Sequence, residues 1–148
     1  MKKESSQFDI ARLLLRLTLG LTILFYGSQK MLGLFGGRGF SATVEGMSQG
    51  GFPPALVMLA IAAEFFGGLG LVVGLLTPVA AFGVLSTMAV ASVTVLNRPG
   101  TIEKLTTSGV PADAHAVFFP ITLALLALAI LMLGPGRYSL DNRLFRGR

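Results

Sequence analysis

Cysteine and tryptophan are absent from this sequence, histidine occurs once, and only 13% of the residues are charged. Without cysteine the chain has no thiolate nucleophile, no dithiol–disulfide couple and no ligands for an iron–sulfur cluster. A single histidine excludes a bis-histidine haem and a histidine-rich metal site within one chain, so no metal is expected. Soluble domains carry about a quarter charged residues; here 53% of the 148 residues are hydrophobic and the mean hydropathy is +0.75. That is the composition of an integral membrane protein, whose first partner is the lipid bilayer. The net charge of +5 comes from twelve Lys and Arg against seven Asp and Glu. The basic residues gather towards the two ends of the chain, which fits membrane topology rather than nucleic-acid binding.

A bilayer core about 30 Å thick takes about 20 helical residues per crossing. Four apolar runs of that order are present, at about 11–34, 55–76, 79–96 and 116–133. They predict an all-α, integral membrane four-helix transmembrane bundle, forming one domain over residues 1–148. Asp9, Arg12 and Arg16 interrupt the approach to the first run and no small-x-small cleavage site follows it, so it is read as a retained helix rather than a signal peptide. Eight of the basic residues fall on the side of the termini and four on the other. The positive-inside rule therefore predicts cytoplasmic N and C termini.

The connectors carry patterns of their own. In "GFSATVEGMSQGGFPP", Phe40, Val44 and Met47 share one helical face; a short surface helix is expected, either a plain connector or a lid. The segment "NRPGTIEKLTTSGVPADAH" reads as a loop, with His115 near Asp113 as a solvated boundary residue. "GRYSLDNRLFRGR" predicts a short interfacial helix capped by Ser139, with Leu140 and Leu144 towards the membrane.

Within the second run, Ala60, Ala63, Gly67, Gly70 and Gly74 repeat at three- and four-residue spacings. Helices in lipid associate through such small-residue seams, so this face is expected to pack closely on a neighbouring helix. Glu64 lies roughly 80° from the seam's centre at 100° per residue, pointing into the bundle. A carboxylate at that depth is costly to ionise unless it is paired or lines a wet or ligand-filled cavity, and intramembrane ionisable groups are functional candidates by default. A structural ion pair that fixes helix register is the alternative reading.

Depth selects its partners. At 1.5 Å per residue, Glu64 lies about 14 Å below the outer boundary, Tyr26 about 12 Å, Lys30 about 6 Å and Arg16 about 27 Å. Tyr26 is level with Glu64 and a lysine stem spans most of the remaining gap, so Lys30 and Tyr26 are the better candidates. Arg16 is expected to snorkel with Arg12 to the cytoplasmic interface. The candidate ligand or proton site is thus Glu64, Lys30 and Tyr26, with Arg16 as a more distant member; no catalytic residue is assigned. Ser86, Thr87, Ser92 and Thr94 are read as packing residues whose hydroxyls return to their own helix.

The order of these motifs carries a resemblance. An Arg-apolar-Gly-apolar approach to "YGSQKMLG", then "AEFFGGLGLVVGLLTPVAA", then "GPGRYSLD" resembles the DoxX family of small four-helix bacterial and archaeal membrane proteins. Its features map onto Arg16, Gly20, Gly27 and Lys30, onto Glu64, Gly68 and Gly74, and onto Gly136, Arg137 and Asp141. The resemblance implies a multi-pass protein of the bacterial or archaeal cytoplasmic (inner) membrane. It also implies an oxidoreductase subunit associated with quinol or thiosulfate:quinone chemistry, dependent on a soluble or membrane redox partner protein. The chain has no redox-active side-chain set, so it would act through a bound, non-covalent quinone. An apolar slot with Glu64, Tyr26 and Lys30 at the carbonyls would suit one. The alternative is a non-enzymatic membrane assembly or anchor protein, or a small-molecule or proton-linked carrier. The glycine seam is compatible with packing within one copy or in a homo-oligomer.

Overall fold

The structure, a computed structural model, describes residues 2–103 and 114–145. Lys104, Asp113 and most of the polar loop lie outside the described residues, as do Arg146 and Arg148. The described residues form helices and no strand: α1 (Lys2–Leu32), a 3₁₀ turn (Leu34–Gly36), α2 (Gly39–Gln49), α3 (Pro54–Val73), α4 (Thr77–Leu96), α5 (Ala114–Leu133) and α6 (Leu140–Phe145). Three of these, α3, α4 and α5, are long and apolar enough to cross a membrane. The sequence placed a fourth span over residues 11–34. The 31-residue α1 occupies that stretch but is not among the three.

The long helices pack in the order α1, α3, α4, α5, and α1 meets α5 only lightly. At the centre Leu19 and Ile23 of α1 meet Leu71 of α3, Ala81 and Val84 of α4, and Leu123, Ala127 and Ile130 of α5. The outer surfaces carry exposed Phe, Leu, Val and Met side chains, the expected finish for helices solvated by lipid.

Small residues set the spacing between helices, with a division of labour that the seam alone did not disclose. Ala63, Gly67 and Gly70 face α4, opposite Gly83, Val84 and Ala80. Ala60 is half-buried on the same helix. The contact with α1 uses different glycines. A Cβ on Gly27 would lie 2.7 Å from the Phe65 backbone N and 2.9 Å from the Glu64 carbonyl carbon, and one on Gly68 would lie 2.6 Å from the Leu24 backbone N. The backbones of α1 and α3 therefore touch, which fixes the level of Glu64 against Tyr26 and Gly27. Gly74 ends α3 in the left-handed region (φ 72°), where a side chain is disfavoured, and it packs closely on Arg16 of α1: a Cβ there would lie 2.6 Å from Arg16 Nη1.

The α4 hydroxyls behave as the sequence suggests, with Ser86, Thr87, Ser92 and Thr94 each donating to a carbonyl of their own helix at 2.7–3.2 Å. In α2 the buried residue is Thr43, while Val44 and Met47 are half-buried and Phe40 is exposed. The inner face is thus rotated from the apolar stripe, because α2 packs on both α1 and α3 and presents a small residue to the gap between them.

Candidate functional site

Lys30 and Glu64 meet at the α1–α3 contact. Lys30 Nζ donates to both carboxylate oxygens of Glu64, at 2.7 Å to Oε1 and 2.6 Å to Oε2. These are short, charge-assisted hydrogen bonds. The pair is asymmetric in exposure: the glutamate side chain is 5% accessible and the lysine 34%. Glu64 is held from below by the Gly27 contact described above. Lys30 approaches from one turn further along α1, its stem running back to the carboxylate.

Tyr26 lies one turn before Lys30 and makes ring contacts rather than a bond to the pair. Its centroid is 5.5 Å from Phe25 and 5.4 Å from Phe119 of α5. Phe25 stacks on Phe35 of the 3₁₀ turn (4.9 Å), and Phe119 stacks on His115 (4.9 Å). Five rings thus form a row of stacked and T-shaped contacts across the end of α1 and the start of α5, and His115, exposed as expected, caps the row. No hydrogen bond of the Tyr26 hydroxyl is formed among the described residues. Ser28, buried beside these groups, donates to the Phe25 carbonyl at 2.8 Å.

Arg16 does not join this site, and its expected excursion to the interface with Arg12 is not what the structure shows. It is 1% exposed and lies about 21 Å along α1 from Lys30 at 1.5 Å per residue. Its Nε donates to the Leu71 carbonyl (3.0 Å), Nη1 to Pro135 (2.6 Å) and Nη2 to Tyr138 (2.9 Å). The expectation of snorkelling left out the supply of carbonyls. α3 ends and the segment after α5 turns back at that level, so a guanidinium finds partners without leaving the protein.

The same end holds the rest of the closing motif. Asp141 accepts hydrogen bonds from the backbone N–H of Leu76 and of Thr77, both at 2.7 Å, and its own N–H donates to the Gly74 carbonyl at 2.9 Å. Leu76, the cap of α4, has φ 50° and no cap bond from its own side chain. Asp141 therefore does for α4 what an N-cap side chain usually does. Ser139 accepts from Asn142 N–H at 3.1 Å, capping α6, and donates to the Gly136 carbonyl. The Arg137 N–H donates to Asp9 Oδ1 at 3.3 Å. Both ends of the described chain thus meet at one end of the molecule, opposite α2.

One family model, DoxX, matches residues 11–97. The match takes in α1 to α4, and with them Arg16, Lys30 and Glu64, and stops before "GPGRYSLD". No curated protein and no solved structure matches the chain.

Proposed function

This chain belongs to the DoxX family and is a multi-pass membrane protein; we propose that it is a four-span membrane subunit of a redox system that binds a quinone-like head group at Lys30, Glu64 and Tyr26. α1 is the fourth span, carrying Arg16 and Lys30 on the face that α3 covers, and the basic end with both termini lies in the cytoplasm. The observation that carries the reading is the one-sided opening of the ion pair. Lysine has three N–H donors and two are taken by Glu64. The third, on the more exposed partner, and the uncommitted Tyr26 hydroxyl are available to two carbonyl oxygens of a planar ring. Tyr26 and Phe119 supply an aromatic wall beside them. A bound quinone would supply the two-electron, two-proton chemistry that no side chain here provides. Lys30 would orient a carbonyl, and Glu64 would hold or accept the proton that Lys30 or Tyr26 passes on. The electrons would come from or go to a partner protein.

Organic extraction of the protein purified in mild detergent, followed by an ultraviolet spectrum, tests for co-purifying quinone. Titration with a short-chain quinone should saturate, and Lys30→Met and Tyr26→Phe should each weaken binding. A protein that purifies empty and takes up no quinone on titration overturns the proposal.

The backbone contacts at Gly27 and Gly68 favour a second reading. In it the chain is a non-enzymatic assembly or anchor protein, or a proton-linked carrier, and the pair locks α1 against α3. Under that reading the same variants lower stability and leave no quinone effect to measure.

A further inference from the structure

We propose that Arg12, Arg137 and Arg143, set around the turn after α5, form a binding site for the phosphate-bearing head group of an anionic phospholipid. The site is at the opposite end of α1 from Lys30 and does not depend on the quinone reading. The stem of Arg12 lies against the turn: a Cβ on Gly136 would come within 3.1 Å of Arg12 Cβ and 3.2 Å of its Cδ. Its Nε is buried with no hydrogen-bond partner among the described residues. Its Nη1 comes only within 3.6 Å of Asp9 Oδ1. That same oxygen accepts from the backbone N–H of Arg137, which leaves the Arg137 guanidinium outside this contact. Asp141, nearby in the chain, is unavailable, since both its oxygens are held inward by Leu76 and Thr77. Asn142, hydrogen-bonded through Nδ2 to the Arg137 carbonyl at 3.5 Å, ties the start of α6 to this patch, and Arg143 follows on the same helix, exposed.

Arg12, Arg137 and Arg143 are thus gathered around one turn, where Asp9 lies 3.6 Å from the Arg12 guanidinium. A phosphate diester offers two non-bridging oxygens, the bidentate acceptor that guanidinium groups take best. The surroundings identify the bearer of the phosphate. Met132 and Leu133 at the end of α5, and Leu144 and Phe145 on α6, are exposed apolar side chains bracketing the arginines. The patch is thus where the apolar surface gives out and basic residues begin, the level of the lipid head groups. A soluble anion would not use the apolar flanks; a phospholipid uses both.

Thermal unfolding of the full-length protein in a neutral detergent, with added lipid, reads the site. Phosphatidylglycerol should raise the melting temperature by a few degrees in a concentration-dependent way, whereas phosphatidylcholine and inorganic phosphate should not. R137Q/R143Q, which leaves Arg12 and Arg16 in place, should melt near the parent without lipid and lose most of the phosphatidylglycerol shift. R146Q/R148Q should keep most of it. The proposal is overturned by an absent shift in the parent protein, by an equal shift with phosphatidylcholine or inorganic phosphate, by an undiminished shift in R137Q/R143Q, or by a shift that disappears with R146Q/R148Q alone.

Discussion

Lys30 and Arg16 are two cations on one helix with opposite solutions to burial. Lys30 is neutralised by a carboxylate; Arg16 is satisfied by three carbonyl dipoles and no direct ion pair. Different substitutions should expose the difference. Glu64→Gln and Lys30→Met should each lower stability by about 1–3 kcal/mol, the range for a hydrogen bond to a charged group. The double variant should cost less than the sum, with a coupling energy of about 1 kcal/mol or more. Unfolding of the four proteins in the same detergent measures this, and strict additivity would mean that the pair is not coupled in solution. Arg16→Lys keeps the charge but not the fork, so at least one buried carbonyl is orphaned, at about 1–3 kcal/mol. Arg12→Lys, at a long and partly exposed contact, should cost under about 1 kcal/mol. Comparison of their melting curves without added lipid tests the contrast. Glu64 and Lys30 were legible in the sequence because one charge in an apolar run demands a partner, and a lysine stem can span the gap in depth between them. Arg16's partners were not, because backbone carbonyls have no side-chain signature and come from segments far away in the chain.

Helix contacts give the next scale its predictions. Gly27→Ala or Gly68→Ala puts a methyl into a neighbouring backbone, which cannot move as a side chain can; each should cost about 1–3 kcal/mol and loosen the Lys30–Glu64 pair. Gly67→Ala meets mainly the Val84 side chain at 3.2 Å and the Ala80 carbonyl at 3.3 Å, and should cost less. Chemical denaturation of the three single variants in one detergent ranks them, and a Gly67→Ala variant that is the least stable would contradict the assignment of faces. Periodicity disclosed that α3 has a small-residue face but not that it needs two. The Ala63–Gly67–Gly70 stripe is visible as a repeat. Gly68, lying off that repeat, acquires its role only when Leu24 is brought opposite it. The αL conformation of Leu76 was invisible for a related reason: a leucine carries no turn signal, and Asp141, which receives its N–H, is 65 residues away.

Taken whole, the molecule is polarised. One end gathers Asp9, Arg12, Arg16, the α3–α4 turn and residues 135–141; the other carries α2, the Lys30–Glu64 pair and the row of aromatic rings. An even number of spans predicts that both termini share a side, and the bond from Arg137 N–H to Asp9 brings the two outer parts of the described chain together. The absence of cysteine makes the orientation directly measurable. Single cysteines at the exposed positions Ser6, Gln49 and Arg143 can be challenged with a membrane-impermeant maleimide on intact cells. Gln49→Cys should label, and Ser6→Cys and Arg143→Cys should label only after the membrane is opened; the inverse pattern would reverse the topology.

The Asp141 cap also sets an order of events during synthesis. The backbone N–H groups of Leu76 and Thr77 wait 65 and 64 residues for their acceptor. While the ribosome makes α4 and α5, the turn joining α3 to α4 therefore has two unanswered donors and a leucine in a conformation it does not favour. Only when residues 135–141 emerge is that turn sealed and Arg16 fully enclosed. A chain that stops before residue 135 lacks the acceptor for Leu76 and Thr77 and two of the three carbonyls that hold Arg16.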